Sequence, residues 1–399
     1  MNLNIQKLHE IAAKPERKII GLMSGTSMDG LDIALCVCAN SGTQTQIEVK
    51  EFKTASYDAD FRKEIKTIFS RRDIDLQQLC ILNAWIGIRH AELILEALKE
   101  WKVDPAEIDL IASHGQSVFH APKSLHGLEK FPGATLQIGD GDHIAVKTGI
   151  ITVSDFRQKH VAAGGEGAPL AVYGDFLIFS KTGQNRIMLN IGGIANFTYL
   201  PGDKDASKVF STDVGPGNTL MDQYVQKYYP GKYYDEDAQI ASSGKPDQTL
   251  LQALSDHSFF QAGFPKTTGP ELFNLEFLTQ AQQRSSTLEL CPEDVMATLC
   301  QLSATTIVEA ISRCFSKEDA PVIFMSGGGM HNSLLVKQLK DGLPYARMQT
   351  TADLQINPDA KEAVLFAILA NETVAGKPID FGSRKGVPAI CMGKISLPQ

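Results

Sequence analysis

Near its N-terminus the chain contains the stretch Lys18-Ile-Ile-Gly-Leu-Met-Ser-Gly-Thr-Ser-Met-Asp-Gly-Leu-Asp-Ile-Ala-Leu35, in which two apolar runs are joined by a polar turn. The run before the turn suits a buried strand, and residues 31–38 alternate at the period of two that a strand requires. Met28 is the single apolar side chain of residues 24–30. The stretch therefore predicts a β-hairpin.

The turn of this hairpin contains groups that can bind phosphate. Gly25 and Gly30 allow the backbone to take positive φ and to approach a ligand closely, and the N–H groups and hydroxyls of the turn can donate to phosphate oxygens. The spacing matches neither the Walker motif nor the dinucleotide fingerprint. An ordinary hairpin loop made of turn-forming residues is therefore the alternative interpretation.

The 399-residue chain has 43% hydrophobic and 21% charged residues, which is typical of a soluble globular protein with one large domain or two. Its net charge of −8 and the lack of a basic run argue against nucleic acid and anionic membranes and favour a small-molecule partner. The seven cysteines form neither a disulfide framework nor a C-x-x-C metal pair. Because no apolar stretch approaches the ~18 residues of a membrane span and the N-terminus has no apolar signal core, we expect a cytoplasmic protein.

Helical and strand-like patterns alternate in the first half of the chain. Residues 61–101 have apolar side chains at helix spacing, and residues 109–116 and 149–155 are short apolar runs that end in polar clusters. In alternating α/β proteins the polar ends of the strands face the ligand crevice. These polar ends are therefore candidate ligand contacts.

The second half contains three strand-to-glycine junctions. Residues 186–200 read as a strand, a glycine turn and a strand, residues 208–218 run from a strand into a carboxylate and two glycines, and residues 321–332 run into three consecutive glycines. We predict an N-terminal extension at 1–17, a first domain at 18–150 and a second domain at 151–399. The helix near 359–372 is expected to pack back across the cleft onto the first domain.

Eight motifs together resemble those of the anhydro-N-acetylmuramic acid kinases, in the same order along the chain. They lie at residues 21–32, 113–116, 155–157, 164–170, 190–196, 213–218, 266–269 and 326–329. The resemblance implies an α/β fold of the actin-like ATPase (ribonuclease H-like) type, with two domains around a central cleft. It also implies ATP and Mg²⁺ as cofactors, and a homodimer.

The resemblance further implies an ATP site built from the glycine junctions. The residues that would line the phosphates are Gly25, Thr26, Ser27, Met28, Asp29, Gly30, Leu31, Asp32, Gly192, Gly193, Gly215 and Gly217. Gly327, Gly328 and Gly329 would lie flat against adenosine, where a Cβ would collide, although a tight strand-to-helix turn also explains them. Phosphate oxygens, water and an unassigned carboxylate would hold Mg²⁺.

Asp213 stands at a strand end just before two glycines, where a carboxylate can be held rigidly, and it lies too far upstream of Asn218 to cap the helix that follows. The family resemblance implies that this aspartate is the catalytic base. The implied reaction uses water to open the 1,6-anhydro bond of 1,6-anhydro-N-acetylmuramic acid while O6 takes the γ-phosphoryl group of ATP, giving the 6-phosphate in peptidoglycan recycling.

The candidate sugar-binding residues are His114, Gln116, Arg157 and Glu362. The guanidinium of Arg157 suits the lactyl carboxylate of a muramic acid, but a structural salt bridge with Asp155 or Glu166 is an equal alternative. The resemblance implies a sugar contact for Glu362, which could equally be a carboxylate stabilising a helix N-terminus. The remaining two candidates would bind sugar hydroxyls, although a lone histidine at a strand end is more often structural.

Two other functions are compatible with the same fold. One is a kinase for the hydroxyl of another amino sugar, without opening of an anhydro bridge. The other is a nucleotide-gated binding module whose output is domain closure. The sugar-side motifs at 113–116 and 155–170 argue against the binding module, which has no use for them.

Overall fold

The computed structural model describes residues 2–25, 28–168, 170–269, 271–315, 319–354, 357–382 and 386–398. The chain divides into two compact units. Unit 1 consists of Met1–Phe179 and Ile356–Gln399, and unit 2 consists of Ser180–Gln355.

The N-terminal part of unit 1 contains both strands and helices. Its strands are β1 (Glu16–Ser24), β2 (Gly30–Ala39), β3 (Gln46–Ser56), β4 (Leu110–Ala121), β5 (Ala134–Ile138) and β6 (Thr152–Ser154). Its helices are α1 (Leu3–Ala13), α2 (Ala59–Lys66), α3 (Leu76–Trp101), α4 (Lys123–His126), α5 (Gly141–Thr148), α6 (Phe156–Ala162) and α7 (Ala171–Phe179).

Unit 2 follows, and the chain then returns to unit 1. The strands of unit 2 are β7 (Arg186–Ile191), β8 (Ile194–Leu200), β9 (Phe210–Pro216), β10 (Val322–Ser326) and β11 (Arg347–Thr350). Its helices are α8 (Thr219–Tyr228), α9 (Gln239–Ser243), α10 (Gln248–Ser255), α11 (Ser258–Gln261), α12 (Leu275–Ser285), α13 (Pro292–Cys314) and α14 (Ser333–Gly342). The returning segment contributes α15 (Lys361–Ala375) and β12 (Lys394–Ser396).

Both units contain a mixed sheet built on one plan. In unit 1 the strand order is β12-β6-β4-β1-β2-β3, with β5 paired to β4, and in unit 2 it is β11-β10-β7-β8-β9. Each sheet begins with an antiparallel meander, β1-β2-β3 or β7-β8-β9. A strand parallel to the first strand of the meander then extends it, β4 in one unit and β10 in the other. This repeated order confirms the predicted α/β fold, with one mixed sheet in each unit.

The predicted hairpin at 18–35 is present as β1 and β2, and α15 covers it. The pairing runs from Glu16 opposite Ala39 to Met23 opposite Asp32. An added Cβ at Gly21 would lie 1.9 Å from the carbonyl oxygen of Ala363, so this glycine allows the helix to lie directly on the strand. The apolar pattern of the hairpin thus forms one wall of the unit 1 core.

The core of unit 2 surrounds α13. This helix begins with Pro292 in its first turn, followed by Glu293 and Asp294, which favour a helix N-terminus. Among the described residues it is the one helix long and apolar enough to cross a membrane, but 72% of its most apolar window is buried inside the protein. It is therefore a core helix, and it packs against β9 of the unit 2 sheet.

The two compact units do not coincide with the predicted domain limits, because residues 151–179 and the segment after α15 lie in unit 1. β6 pairs with β4 on one side and with β12 on the other, which places both segments in the first sheet. The predicted extension at 1–17 also overlaps β1, and Arg17 is 2% exposed and donates to Asn371 Oδ1 at 2.6 Å. Such pairings join residues far apart in sequence and leave no compositional signal at a boundary.

Candidate active site

A directed chain of hydrogen bonds holds the first glycine turn. Ser24 Oγ donates to Gln116 Oε1 at 2.6 Å, and Gln116 Nε2 donates to the carbonyl oxygen of Gly25 at 3.0 Å. Tyr57 OH lies 2.7 Å from Ser24 Oγ and 2.9 Å from His90 Nε2. Since Ser24 uses its proton on Gln116, Tyr57 donates to Ser24 and accepts from His90. The side chain of Gln116 is therefore engaged with the turn.

The predicted phosphate residues of this turn are only partly described. Thr26 and Ser27 lie outside the described residues. Met28 is 6% exposed with φ 55°, and Leu31 is completely buried, so both side chains belong to the core. An added Cβ at Gly30 would lie 2.7 Å from the carbonyl oxygen of Ala55, so the glycine is required by the neighbouring strand β3.

Carboxylates gather beside the turn. Asp32 accepts a hydrogen bond from Thr54 Oγ1 at 2.6 Å. Its pKa is raised, first by burial and then by the charges of Asp29 and Asp359, while the Thr54 bond lowers it. The pKa of Glu362 is also raised, mainly by loss of hydration and further by Asp32. Arg157 and Lys361 partly offset this effect on Glu362, so the carboxylates of this part of unit 1 lie close to cations as well as to one another.

His114 holds Arg157. Arg157 Nε donates to His114 Nε2 at 2.8 Å, and His114 Nδ1 lies 2.9 Å from the carbonyl oxygen of Gly115, so the proton of the imidazole is on Nδ1. His114 is 2% exposed, and burial together with the charge of Arg157 lowers its pKa to about 3. Both ring nitrogens have protein partners, and the ring packs on Phe366 at 4.7 Å between centroids.

The glycine-rich loop at 164–168 supports Arg157 from another side. Arg157 Nη1 donates to the carbonyl oxygen of Gly167 at 2.7 Å, and the N–H of Gly167 donates to His160 Nδ1 at 3.0 Å. Burial lowers the pKa of His160 to about 4, so this histidine is neutral. Asp155 bonds Lys394 instead of Arg157. His114 and the Gly167 carbonyl therefore hold the Arg157 cation in place. Arg157 also lines a recess of about 270 Å³.

Asp213 lies on β9 at a β-bulge. Ala195 pairs with Gly215 and Asn196 with Asp213, so Val214 is the extra residue. A bulge turns neighbouring side chains to a new direction. Thr268 N–H donates to Asp213 Oδ2 at 2.8 Å. The pKa of Asp213 is raised by burial and by the charge of Glu271, while the Thr268 bond lowers it.

The second glycine turn, between β7 and β8, packs on the start of α8. The carbonyl oxygen of Gly193 accepts from Gly217 N at 2.9 Å, and that of Gly192 accepts from Asn218 N at 2.8 Å. An added Cβ at Gly217 would lie 2.2 Å from the Gly192 carbonyl oxygen, so Gly217 is needed for this contact. An added Cβ at Gly192 or Gly193 would meet nothing closer than 3.6 Å. These two glycines are therefore the ones with room beside them.

The other glycines predicted to bind ATP also differ in whether there is room for a side chain beside them. An added Cβ would lie 3.0 Å from Thr306 Oγ1 at Gly215, 2.6 Å from Asn190 Oδ1 at Gly327 and 2.3 Å from a methyl carbon of Ile191 at Gly329. Gly328 is open, with its nearest neighbour 3.6 Å away. It lines a cavity of about 530 Å³ in unit 2.

This cavity is lined by acidic and amide groups. They are Asn218, Asp222, Asp235, Glu236, Asp237 and Asn332, and the imidazole of His331 also lines the cavity. Asp235 is engaged by Ile240 N–H at 2.8 Å and Ala241 N–H at 2.9 Å, so it caps α9. Burial raises the pKa of Asp222 to about 6. The cavity combines carboxylates that can accept from hydroxyls with a flat glycine surface.

Comparison with known proteins decides the family. Residues 17–396 match the family model described as anhydro-N-acetylmuramic acid kinase. The chain belongs to this family. A protein of that name from Pseudoalteromonas atlantica is 52% identical over 401 residues, covering 100% of both chains. Another from Caldanaerobacter subterraneus is 38% identical, covering 98% of this chain and 100% of its own.

Two solved structures illustrate what this anhydro-N-acetylmuramic acid kinase family member is similar to at low sequence identity. A ROK family protein from Streptococcus pneumoniae in complex with sucrose is 10% identical, covers 89% of this chain and 99% of its own, and has a TM-score of 0.34. Hexokinase from Schistosoma mansoni complexed with glucose is 9% identical, covers 88% and 85%, and has a TM-score of 0.33.

The structure of this family member adds residues that the sequence analysis missed. Tyr57 and His90 complete the hydrogen-bond chain to the first turn, and His160 orients the loop that holds Arg157. Asp222 and Glu236 line the cavity beside Gly328. None of the five belongs to a glycine junction, and the one available signal was the acidic run at 235–237.

Proposed function

We propose that this chain is an ATP-dependent kinase that uses water to open the 1,6-anhydro ring of 1,6-anhydro-N-acetylmuramic acid and phosphorylates O6. The product is N-acetylmuramic acid 6-phosphate. The observation that carries the proposal is the carboxylate of Asp213, held at a strand bulge with one oxygen on the N–H of Thr268. Family membership over residues 17–396 supports the choice of substrate.

In the proposed mechanism Asp213 takes a proton from water, and the water oxygen forms a bond to C1. The C1–O6 bond breaks with its electron pair on O6, and O6 attacks the γ-phosphorus of ATP while the bond to the β-phosphate oxygen breaks. The products are the 6-phosphate, ADP and a proton on Asp213, so atoms and charge balance. Partial burial suits Asp213 to this role because it raises the basicity of the carboxylate.

Arg157 would bind the lactyl carboxylate, because its guanidinium is fixed by His114 and Gly167 and its remaining N–H groups can form a fork. Glu362, whose pKa is raised, would accept from a sugar hydroxyl. The first turn and the open glycines Gly192 and Gly193 would contact the phosphates. Gly328 would lie against adenosine, and Asp222 would accept from ribose hydroxyls.

Mg²⁺ would be held mainly by phosphate oxygens and water. The described residues contain no group of three or more His, Cys, Asp or Glu side chains placed to hold a metal. Mg²⁺ commonly keeps several waters and needs only one or two carboxylates. Asp32 fits this need, because a cation there would relieve its repulsion with Asp29 and Asp359. A bound Mg²⁺ would neutralise charge on the transferring phosphoryl group.

The test is ATP consumption with the anhydro sugar in ¹⁸O-labelled water, followed by mass spectrometry of the sugar phosphate. The proposal requires a 6-phosphate labelled at C1, after correction for exchange measured on unlabelled product in the same water. Phosphorylation of the reducing sugar alone would favour the kinase for another amino sugar. ATP hydrolysis that is independent of sugar would favour the nucleotide-gated module.

Asp213→Asn tests the base. It should reduce turnover by about 10²- to 10⁴-fold while ATP binding is retained, and Asp256→Asn, at an exposed position in the same unit, should have no effect. Retained turnover in Asp213→Asn would remove the assigned base.

We also propose a cytoplasmic homodimer that recovers cell-wall sugars. Light scattering of the purified protein tests the dimer.

A further inference from the structure

Residues 266–268 form a short strap along β9, which is the last strand of the second sheet. Asp213 N donates to the carbonyl oxygen of Lys266 at 2.9 Å, and Lys266 N donates to Thr212 Oγ1 at 3.0 Å. Thr268 N then donates to Asp213 Oδ2 at 2.8 Å. The strap therefore holds both the backbone and the carboxylate of Asp213.

The side chain of Lys266 anchors this strap among aromatic rings. Its Nζ lies 4.3 Å from the ring centre of Phe259, 5.3 Å from that of Phe264 and 5.9 Å from that of Phe260. It also donates to the carbonyl oxygen of Phe259 at 2.8 Å. The ion pairs of the described residues include none with Lys266. Ring faces attract a cation, so the rings and one carbonyl hold the ammonium.

We propose that Lys266 is a positioning residue for Asp213: its ammonium, anchored on the Phe259, Phe260 and Phe264 rings, fixes the strap that aims the carboxylate. The inference rests on the proposed role of Asp213 as the base. Fixing one carboxylate oxygen on the strap leaves the other oxygen for water. A shift of the strap would therefore change both the aim and the protonation of the base.

Lys266→Met keeps the length and apolar stem of the side chain but removes its charge and its donors. We expect kcat to fall roughly 10- to 100-fold, the range for a misplaced catalytic group, with the KM for ATP unchanged. The acidic limb of the pH profile should also move to higher pH. The Thr268 N–H bond lowers the pKa of Asp213, so weakening this bond raises that pKa. The negative charge of Glu271 also raises the pKa of Asp213 and acts in the same direction.

Thr212→Val is a second variant that leaves Lys266 in place. It keeps the side-chain shape and removes the hydroxyl that accepts from Lys266 N, so kcat and the acidic limb should change in the same directions. Lys266→Arg keeps a cation that the aromatic ring faces attract and should restore most of the activity. Lys208→Met removes an exposed lysine elsewhere in unit 2 and serves as the matched control.

The measurements are kcat, both KM values, the pH profile and the melting temperature of each variant. Lower kcat with a shifted acidic limb in Lys266→Met and Thr212→Val, restored in Lys266→Arg, supports the proposal. Wild-type kcat and pH profile in both variants overturn it, even if the melting temperature falls. If Lys266→Met does not fold, Thr212→Val decides. Turnover retained in Asp213→Asn would instead overturn the assigned base.

Discussion

Replacing His114 by Phe should weaken sugar binding and leave the chemical step in place. The substituted ring keeps the packing on Phe366 but loses the nitrogen that accepts from Arg157 Nε at 2.8 Å. A hydrogen bond to a charged group contributes roughly 1.5–3 kcal/mol. That free energy corresponds to about 10- to 150-fold in affinity. We therefore expect the KM for the anhydro sugar to rise by a factor in this range, with the KM for ATP unchanged.

The control is His114→Gln, because the side-chain oxygen of glutamine can lie near the position of Nε2 and accept the same hydrogen bond. The assay is steady-state ATP consumption with each substrate varied in turn, repeated across pH. Burial and the charge of Arg157 lower the pKa of His114 to about 3, so the imidazole is neutral throughout the working range. Neither substitution should change the shape of the pH profile.

One outcome would give His114 a chemical role in place of a positioning role. If His114→Gln loses kcat as severely as His114→Phe, with the basic limb of the profile removed, then His114 exchanges a proton with the sugar. The positioning role argued from its two protein partners would then be refuted. A rise in sugar KM that glutamine reverses leaves the histidine as the support of Arg157.

Three further predictions concern the two units. Gly328→Ala should leave the unfolding free energy unchanged and raise the KM for ATP, because the nearest atom to the added Cβ is 3.6 Å away. Gly329→Ala should lower the unfolding free energy by about 1–3 kcal/mol in urea titrations, because its Cβ would lie 2.3 Å from Ile191. Equal effects of the two would contradict the assignment. Gln116→Leu should lower the unfolding free energy by roughly 1–3 kcal/mol, because Ser24 and Gly25 lose their partner, and raise the KM for ATP more than that for sugar. Asp222→Asn should weaken ATP binding. At pH values above about 6 it should also raise the melting temperature, and this gain should vanish at about pH 4. The reason is that its pKa is raised to about 6 in the folded chain, so the wild type loses stability as pH rises from the unfolded value through that point. A constant difference in melting temperature across pH would refute this reasoning.

The glycine junctions show how far local pattern reaches. The sequence located the turn after β1, the turn between β7 and β8, and the triple glycine after β10, because glycine and apolar alternation are local signals. It could not separate Gly328, which has open space beside it, from Gly329, which is filled by Ile191. That difference depends on which side of the backbone faces a neighbouring strand.

The sugar-side residues show a second limit. His114, Gln116 and Arg157 were identified as one candidate group, but the hydrogen bonds give them different tasks. Gln116 holds the first glycine turn, and His114 holds Arg157. The partners lie 91 and 43 positions apart in sequence, so spacing carries no information about them.

The sequence by itself determined the fold class, the kinase family and the position of Asp213 before two glycines, since strand periodicity, turn chemistry and motif order are written in consecutive residues. Only the tertiary structure decided that β12 completes the sheet of unit 1 by pairing with β6, and that Lys266 and Thr268 hold Asp213. The physical reason is that burial, pKa shifts and hydrogen-bond partners arise between residues that the chain brings together only when it folds.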